Sequence, residues 1–204
     1  MDYFSLCIWL ILAALFWGLP TYLYGKGKIT FIDRPLSHSA WFLLGIVVTI
    51  LIFKTNFFIY FSGISTAFVV LFAAVSLAWL LSPYVYPHEH LSRLERAKYQ
   101  PTKFLEILLQ QVLFLAGLLI LGENWILFGL LFFAVHLPFL FFLPFRIISV
   151  TASFSLPGGL LFAFLQSIGP FGFLASLSLH LLFYAGFHIV MVSGYFPNFK
   201  PYRR

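Results

Sequence analysis

The sequence predicts an all-α fold, a polytopic transmembrane bundle of about seven helices with its N-terminus outside and its basic C-terminal tail in the cytoplasm. Apolar residues make up 62% of the 204 positions and charged residues only 9%, whereas soluble domains typically carry about a quarter charged residues. Several apolar runs are long enough for a bilayer, and basic residues fall almost entirely between alternate runs. Residues 1–204 are therefore predicted to form a single integral membrane domain.

Seven apolar runs supply the predicted helices, because a membrane span needs about 20 mostly apolar residues. The runs are 3–24, 39–54, 57–81, 104–121, 125–144, 147–168 and 171–193. The sixth contains Pro157-Gly158-Gly159, which predicts a break in that helix. In the fifth, Pro138 and Pro144 predict a kinked exit.

The distribution of basic residues predicts the orientation. When the loops are assigned alternately to two sides of the membrane, eleven of the twelve Lys and Arg residues fall on one side and only Lys54 on the other. Cytoplasmic loops carry such an excess, so the first helix enters the membrane from outside. Because no basic residue precedes this helix, we expect an uncleaved anchor rather than a signal peptide.

The hydrophilic stretch 82–103 is predicted to be a cytoplasmic loop near anionic headgroups, with the part from His88 to Lys98 as a short amphipathic helix on the membrane surface. His88 and His90 do not predict a metal site, since alternate residues on a helix point apart. The net charge of +6 is too dispersed for a nucleic-acid partner. A single cysteine, Cys7, excludes an internal disulfide.

Strongly polar side chains inside the predicted helices are the candidate functional residues, because they are costly in hydrocarbon. They are Gln110, Gln111, His136, Gln166, His180, Tyr184 and His188. The helical rise places members from the fourth, fifth and seventh helices at matching depth, which predicts a polar pocket open toward the cytoplasm. The alternative is that they only form hydrogen bonds between helices, worth about 1 kcal/mol each.

The order of these residues forms a pattern in the last half of the chain. A Gln-Gln pair at 110–111 is followed by FFAVH at 132–136, and then by a glycine-bearing helix, a short turn and a last helix with His180. The stretch 104–190 thereby resembles the CAAX protease and bacteriocin-processing family of intramembrane proteases. That family carries the motifs Glu-Glu-x-x-x-Arg, Phe-x-x-x-His and His-x-x-x-Asn. The resemblance implies a helical membrane fold with Phe132, His136 and His180 at its site.

Three departures from the family pattern concern its chemistry. Gln110 and Gln111 replace both glutamates, Leu115 replaces the arginine, and Tyr184 replaces the asparagine. The family's paired glutamates are taken to activate the attacking water, but a glutamine amide cannot accept that proton. The resemblance therefore implies a site that has lost its general base.

Other chemistries centre on the histidines. His136 or His180 can serve as a base if neutral, which keeps an active hydrolase as an alternative. A serine protease is not predicted, because there is no Gly-x-Ser-x-Gly motif and Ser176 and Ser178 are not expected to reach a usable partner. Metal or haem ligation by paired histidines stays open, although we expect no carboxylate or thiolate ligand in the bilayer region. No cofactor is predicted.

The sequence therefore predicts a non-catalytic relative of these proteases in the bacterial cytoplasmic (inner) membrane. It is expected to bind a membrane segment, a lipid or a partner protein. The predicted binding residues are Gln110, Gln111, Phe132, Tyr184 and His188, while His136 and His180 are catalytic only in the hydrolase alternative. A structural subunit of a membrane complex is the third hypothesis.

Overall fold

The computed structural model describes residues 2–26, 28, 33–54, 65–85, 93–141, 145–169 and 171–192. Within these ranges the chain forms seven helices and no strand. Helix α1 comprises the α-helix Tyr3–Leu12, the π-helical stretch Ala13–Gly18 and the α-helix Leu19–Gly25. The others are α2 (Pro35–Phe53), α3 (Thr66–Val85), α4 (Arg93–Ile120), α5 (Trp125–His136), α6 (Phe145–Ser167) and α7 (Gly172–Val192). The all-α prediction is confirmed for this part of the chain.

Several helix ends follow from local sequence. The carboxylate of Asp2 accepts a hydrogen bond from Phe4 N (3.1 Å) at the start of α1, and the Asn124 side chain accepts one from Leu127 N (3.0 Å) at the start of α5. Both satisfy backbone donors that a first turn leaves unpaired. Between α4 and α5 the chain reverses at Gly122, whose φ of 66° suits glycine.

Among the described residues, three stretches are long and apolar enough to cross a membrane, Tyr3–Leu23, Pro35–Phe53 and Ala97–Ile120. Shorter apolar helices are Thr66–Leu81, Trp125–His136 and Gly172–Gly186. The prediction of helices suited to a membrane is therefore confirmed at this level. The first part of the predicted third span, 57–64, lies outside the described residues.

Helix α4 occupies the centre of the bundle. In an apolar window of 18 residues from each helix, 72% of the residues are buried in α4, compared with 33% in α1 and 22% in α2. It contacts each of the other six helices. A helix that is surrounded on all sides must place even its polar side chains in the interior, so the polar residues of α4 are brought together with those of its neighbours.

The beginning of α4 differs from the prediction. The helix starts at Arg93 rather than near 104, so Arg93–Lys98 forms its first turns and not a separate surface helix. It continues through Pro101, although a proline removes one backbone hydrogen bond. The predicted loop residues His88, Glu89 and His90 lie outside the described residues.

Contacts with α2 and α3 explain why this polar part of α4 is helical and buried. Thr102 Oγ1 lies 3.0 Å from Ser39 Oγ on α2. Gln100 Nε2 donates a hydrogen bond to the backbone oxygen of Trp79 on α3, at 3.3 Å. Gln100 and Thr102 are 2% and 1% exposed. Polar residues that predicted a solvated loop are therefore buried in contacts between helices.

The predicted break at Pro157-Gly158-Gly159 is wrong, because α6 is continuous with Pro157 inside it. A Cβ atom at Gly159 would lie 2.8 Å from carbon atoms of Phe132 on α5. Small residues let membrane helices approach closely. Gly159 thus serves the packing of α6 on α5.

The fifth predicted helix leaves α-helical geometry just before Pro138, and the kink expected there stays a prediction. Helix α5 ends at His136, and a 3₁₀ helix, Leu137–Phe141, follows. Pro138 lies in that segment, where a missing backbone donor is tolerated. Pro144 lies outside the described residues.

We expect Gly159→Ala to lower the free energy of unfolding by about 1 to 3 kcal/mol, the usual cost of overpacking a close contact. Gly158→Ala is the matched control, since a Cβ at Gly158 meets nothing within 4 Å. Reversible denaturation of both variants in detergent micelles measures the difference. Equal stability of the two variants would contradict the close α5–α6 contact.

Helices α3 and α7 run parallel. The ring centres of Phe68 and Phe171 lie 5.7 Å apart, and those of Trp79 and Tyr184 lie 6.4 Å apart. Because residue numbers rise together along the two contacting segments, helices α3 and α7 point in the same direction. An even number of direction reversals must therefore separate α3 from α7.

Candidate functional site: a buried polar cluster

The interior polar cluster centres on Gln111, which is fully buried on α4. Its Oε1 lies 2.9 Å from Gln166 Nε2 on α6 and 2.5 Å from Ser176 Oγ on α7. Its Nε2 lies 2.9 Å from His180 Nδ1, also on α7. These four residues, which we call the Gln111 cluster, join three helices through one amide group.

A buried ion pair lies on the same helix. Lys103 Nζ is 2.8 Å from Glu106 Oε2, and the two side chains are only 10% and 6% exposed. Gln110 Nε2 donates to the other carboxylate oxygen at 3.2 Å. Charges persist in such a low-dielectric interior when they are paired and hydrogen-bonded. The Lys103–Glu106 pair is therefore locally neutral.

Tyr184 connects the ion pair to the Gln111 cluster. Its ring centre lies 4.2 Å from Lys103 Nζ, a cation–π distance, and 5.2 Å from the imidazole centre of His180 in a stacked geometry. Gln166 of α6, Gln111 and Lys103 of α4, and His180 and Tyr184 of α7 thus form one continuous chain of contacts, which we call the polar strip.

His136 occupies a different environment. Its Nδ1 lies 2.6 Å from the backbone oxygen of Phe132, one turn earlier on α5. Its ring centre lies 4.5 Å from that of Phe132 and 5.1 Å from that of Trp17 on α1. The ring centre of Phe114 lies 4.7 Å from that of Phe132 and 6.0 Å from that of His180. The imidazole of His136 is thus packed among aromatic rings, and its Nδ1 contacts its own helix.

The structure therefore divides the predicted site. Gln111 and His180, two of the residues predicted to line the pocket, contact each other directly, and Gln166 joins them. Gln110 is bound to Glu106 on its own helix, and Tyr184 lies between the two polar groups. The side chain of His188 lies outside the described part of the structure.

Two features were missed or misjudged from sequence. Glu106 is a carboxylate within the predicted fourth span, so the expectation of no carboxylate there is wrong. A single acidic residue inside an apolar run was the signal for it. Ser176 was not expected to reach a usable partner, yet it lies one helical turn before His180 and donates to Gln111.

Hydrogen bonds and one ion pair hold the polar groups of this arrangement in place. Gln111 is an amide, His180 Nδ1 is engaged by it, and Glu106 is held by Lys103. Among the described residues no group of three or more His, Cys, Asp or Glu side chains is arranged to hold a metal ion. The contacts of Gln111 fix polar groups of α4, α6 and α7 against one another.

These features define a class of protein: helical throughout its described part, with helices suited to a membrane and a polar cluster at the centre of the bundle. No family model, curated protein or solved structure matches the chain.

Proposed function

We propose that the protein is a non-catalytic relative of the CAAX-type intramembrane proteases, located in the bacterial cytoplasmic membrane, which binds a membrane segment, a lipid or a partner protein. The observation that carries this proposal is the Gln111 amide. It is contacted at oxygen by Ser176 and Gln166, and at nitrogen by His180. An ionised glutamate has no N–H group and cannot supply that donor. The contacts therefore suit an amide where the family motif has a glutamate.

Two of the groups that could act as the base in the hydrolase alternative, His180 and Glu106, are already engaged. A general base must have an accessible lone pair directed at the reacting water. The Nδ1 lone pair of His180 faces Gln111, and the carboxylate of Glu106 accepts from Lys103 and Gln110. This engagement favours binding over hydrolysis through His180 or Glu106, and it leaves His136, whose Nδ1 donates to the Phe132 carbonyl, as the base of the hydrolase alternative.

The structural-subunit alternative is favoured by one observation. Every polar atom of the Gln111 amide lies in a contact that joins α4 to α6 or α7. Interhelical bonds of this kind stabilise membrane bundles by themselves. The two alternatives differ in whether a partner contacts the polar strip, so binding must be measured at Tyr184, the partly exposed member of that strip.

The proposed topology is seven crossings with the N-terminus outside. It is supported by the parallel α3 and α7 and by the excess of basic residues in alternate loops. In a Cys7→Ser background, a membrane-impermeant maleimide added outside is expected to label Ser65→Cys but not Lys28→Cys. Labelling of Lys28→Cys in sealed cells would reverse the orientation.

A binding experiment tests the proposed function. The single cysteine, Cys7, is exposed and accepts a donor fluorophore. The protein is reconstituted in lipid vesicles with an acceptor-labelled Leu/Ala single-span peptide. We expect saturable energy transfer, and about tenfold weaker apparent affinity for Tyr184→Ala, equivalent to about 1.4 kcal/mol.

Leu51→Ala is the control for that experiment, since Leu51 lies on α2 with 69% of its surface exposed. It should bind the peptide as the wild type does. Energy transfer that never exceeds the level expected for randomly mixed donor and acceptor would favour the structural-subunit alternative. Equal energy transfer in Tyr184→Ala and Leu51→Ala would favour it as well.

A further inference from the structure

The Gln111 cluster contains enough contacts to assign the proton on His180. An imidazole nitrogen facing an amide is an acceptor if it meets the NH₂ end and a donor if it meets the oxygen. The tautomer of His180 therefore depends on which way round the Gln111 amide lies.

Gln166 gives the first reason for the orientation. Its terminal Nε2 lies 2.9 Å from Gln111 Oε1 and 3.4 Å from the backbone oxygen of Gln111. A backbone carbonyl only accepts hydrogen bonds, so the end of Gln166 that faces α4 is its NH₂ group. The Gln111 atom that meets this donor must then be the oxygen.

Ser176 gives a second, independent reason. Its Oγ lies 2.5 Å from the same Gln111 atom. This distance lies at the short end of the O–H···O range of about 2.5 to 3.0 Å and below the N–H···O range of about 2.7 to 3.2 Å. The Gln111 atom that faces Ser176 is again the oxygen.

With its oxygen held by two donors, Gln111 presents its NH₂ group to His180 Nδ1 at 2.9 Å. Nδ1 must then carry a lone pair and no proton. We propose that Ser176 and Gln166 are positioning residues that act through Gln111 to hold His180 neutral, with its proton on Nε2. An imidazolium has N–H groups at both nitrogens and does not fit this contact.

The assignment has a consequence for ligand chemistry. The hydrogen bond of His180 to Gln111 runs through Nδ1, which leaves the Nε2–H as the remaining donor of the ring. That donor suits a hydrogen-bond acceptor, such as the carbonyl or ester oxygen of a bound group. This consequence rests on the proposed binding function, whereas the tautomer does not.

Solid-state NMR of ¹⁵N-histidine-labelled protein in lipid bilayers tests the proposal. The His180 signals are identified by their loss in His180→Phe. We expect the wild-type proton on Nε2. In Gln111→Glu an ionised carboxylate can only accept, so the proton is expected to move to Nδ1. A wild-type proton on Nδ1 would overturn the proposal.

The positioning role is tested by Ser176→Ala/Gln166→Leu, which frees the Gln111 amide to turn. We expect signals from both tautomers in this variant, and the wild-type spectrum in Ser176→Thr, which keeps the hydroxyl group. A wild-type spectrum in the double variant would show that Ser176 and Gln166 do not position Gln111. Should the double variant not fold, Gln111→Glu still decides whether the atom at this position sets the tautomer. Failed peptide binding with an intact Nε2–H tautomer would count against the proposed function alone.

Discussion

Lys103→Met is expected to lower the free energy of unfolding by about 3 to 5 kcal/mol, because removing one partner leaves the other charge buried and uncompensated. Glu106 is 4% exposed, and its carboxylate is 2.8 Å from Lys103 Nζ. A surface ion pair at the same distance would contribute only about 0 to 1 kcal/mol. Reversible unfolding in mixed micelles measures the loss.

The double variant Lys103→Met/Glu106→Gln distinguishes the cost of an uncompensated buried charge from the cost of losing the lysine side chain. It removes both charges and keeps similar volumes, so we expect most of the lost stability to return. Lys98→Met provides a second control, since Lys98 is an exposed lysine five residues earlier on the same helix. If Lys103→Met and Lys98→Met proved equally stable, the pair would not be buried as described.

Gln111→Leu is expected to have the second largest effect, a loss of about 2 to 4 kcal/mol. The substitution removes the common partner of Gln166, Ser176 and His180. Hydrogen bonds between membrane helices average about 0.6 kcal/mol each, but a buried polar group left unpaired costs about 1 to 3 kcal/mol. Because Gln166, Ser176 and His180 lose their partner together, the cost of leaving buried polar groups unpaired is the larger contribution.

Gln110→Leu is the matched control, a neighbouring buried glutamine whose hydrogen bond goes to Glu106 on its own helix. We expect its effect on the α4–α7 contact to be smaller. Cross-linking between cysteines placed on α4 and α7 checks this: efficiency should fall in Gln111→Leu and be retained in Gln110→Leu. Equal loss in both variants would mean that Gln111 does not join the helices.

The helices could be predicted because hydrocarbon imposes a simple length rule. Runs of about 20 apolar residues predicted α1 and α2 closely, and Pro138 predicted the end of α5. The start of α4 could not be predicted in this way. Gln100 and Thr102 read as loop residues, and only their contacts with α2 and α3 show that they are buried.

The candidate site was predictable in part for a related reason. Depth along a helix follows from residue number, which placed Gln111 and Tyr184 in the same half of the bundle but placed His180, the direct partner of Gln111, nearer the midplane. Rotation about the helix axis does not follow from depth. Gln110 and His136 have matching depth, but their contacts are with Glu106 and with the aromatic rings of Phe132 and Trp17.

Peptide-bond cleavage by the purified protein in lipid vesicles tests most directly whether the site is non-catalytic. The measurement follows a fluorogenic single-span peptide with wild type and His180→Phe at equal protein levels. We expect no cleavage above the rate of empty vesicles in either sample, because the amide of Gln111 cannot act as a base. Cleavage by the wild type that His180→Phe abolishes would contradict the proposal.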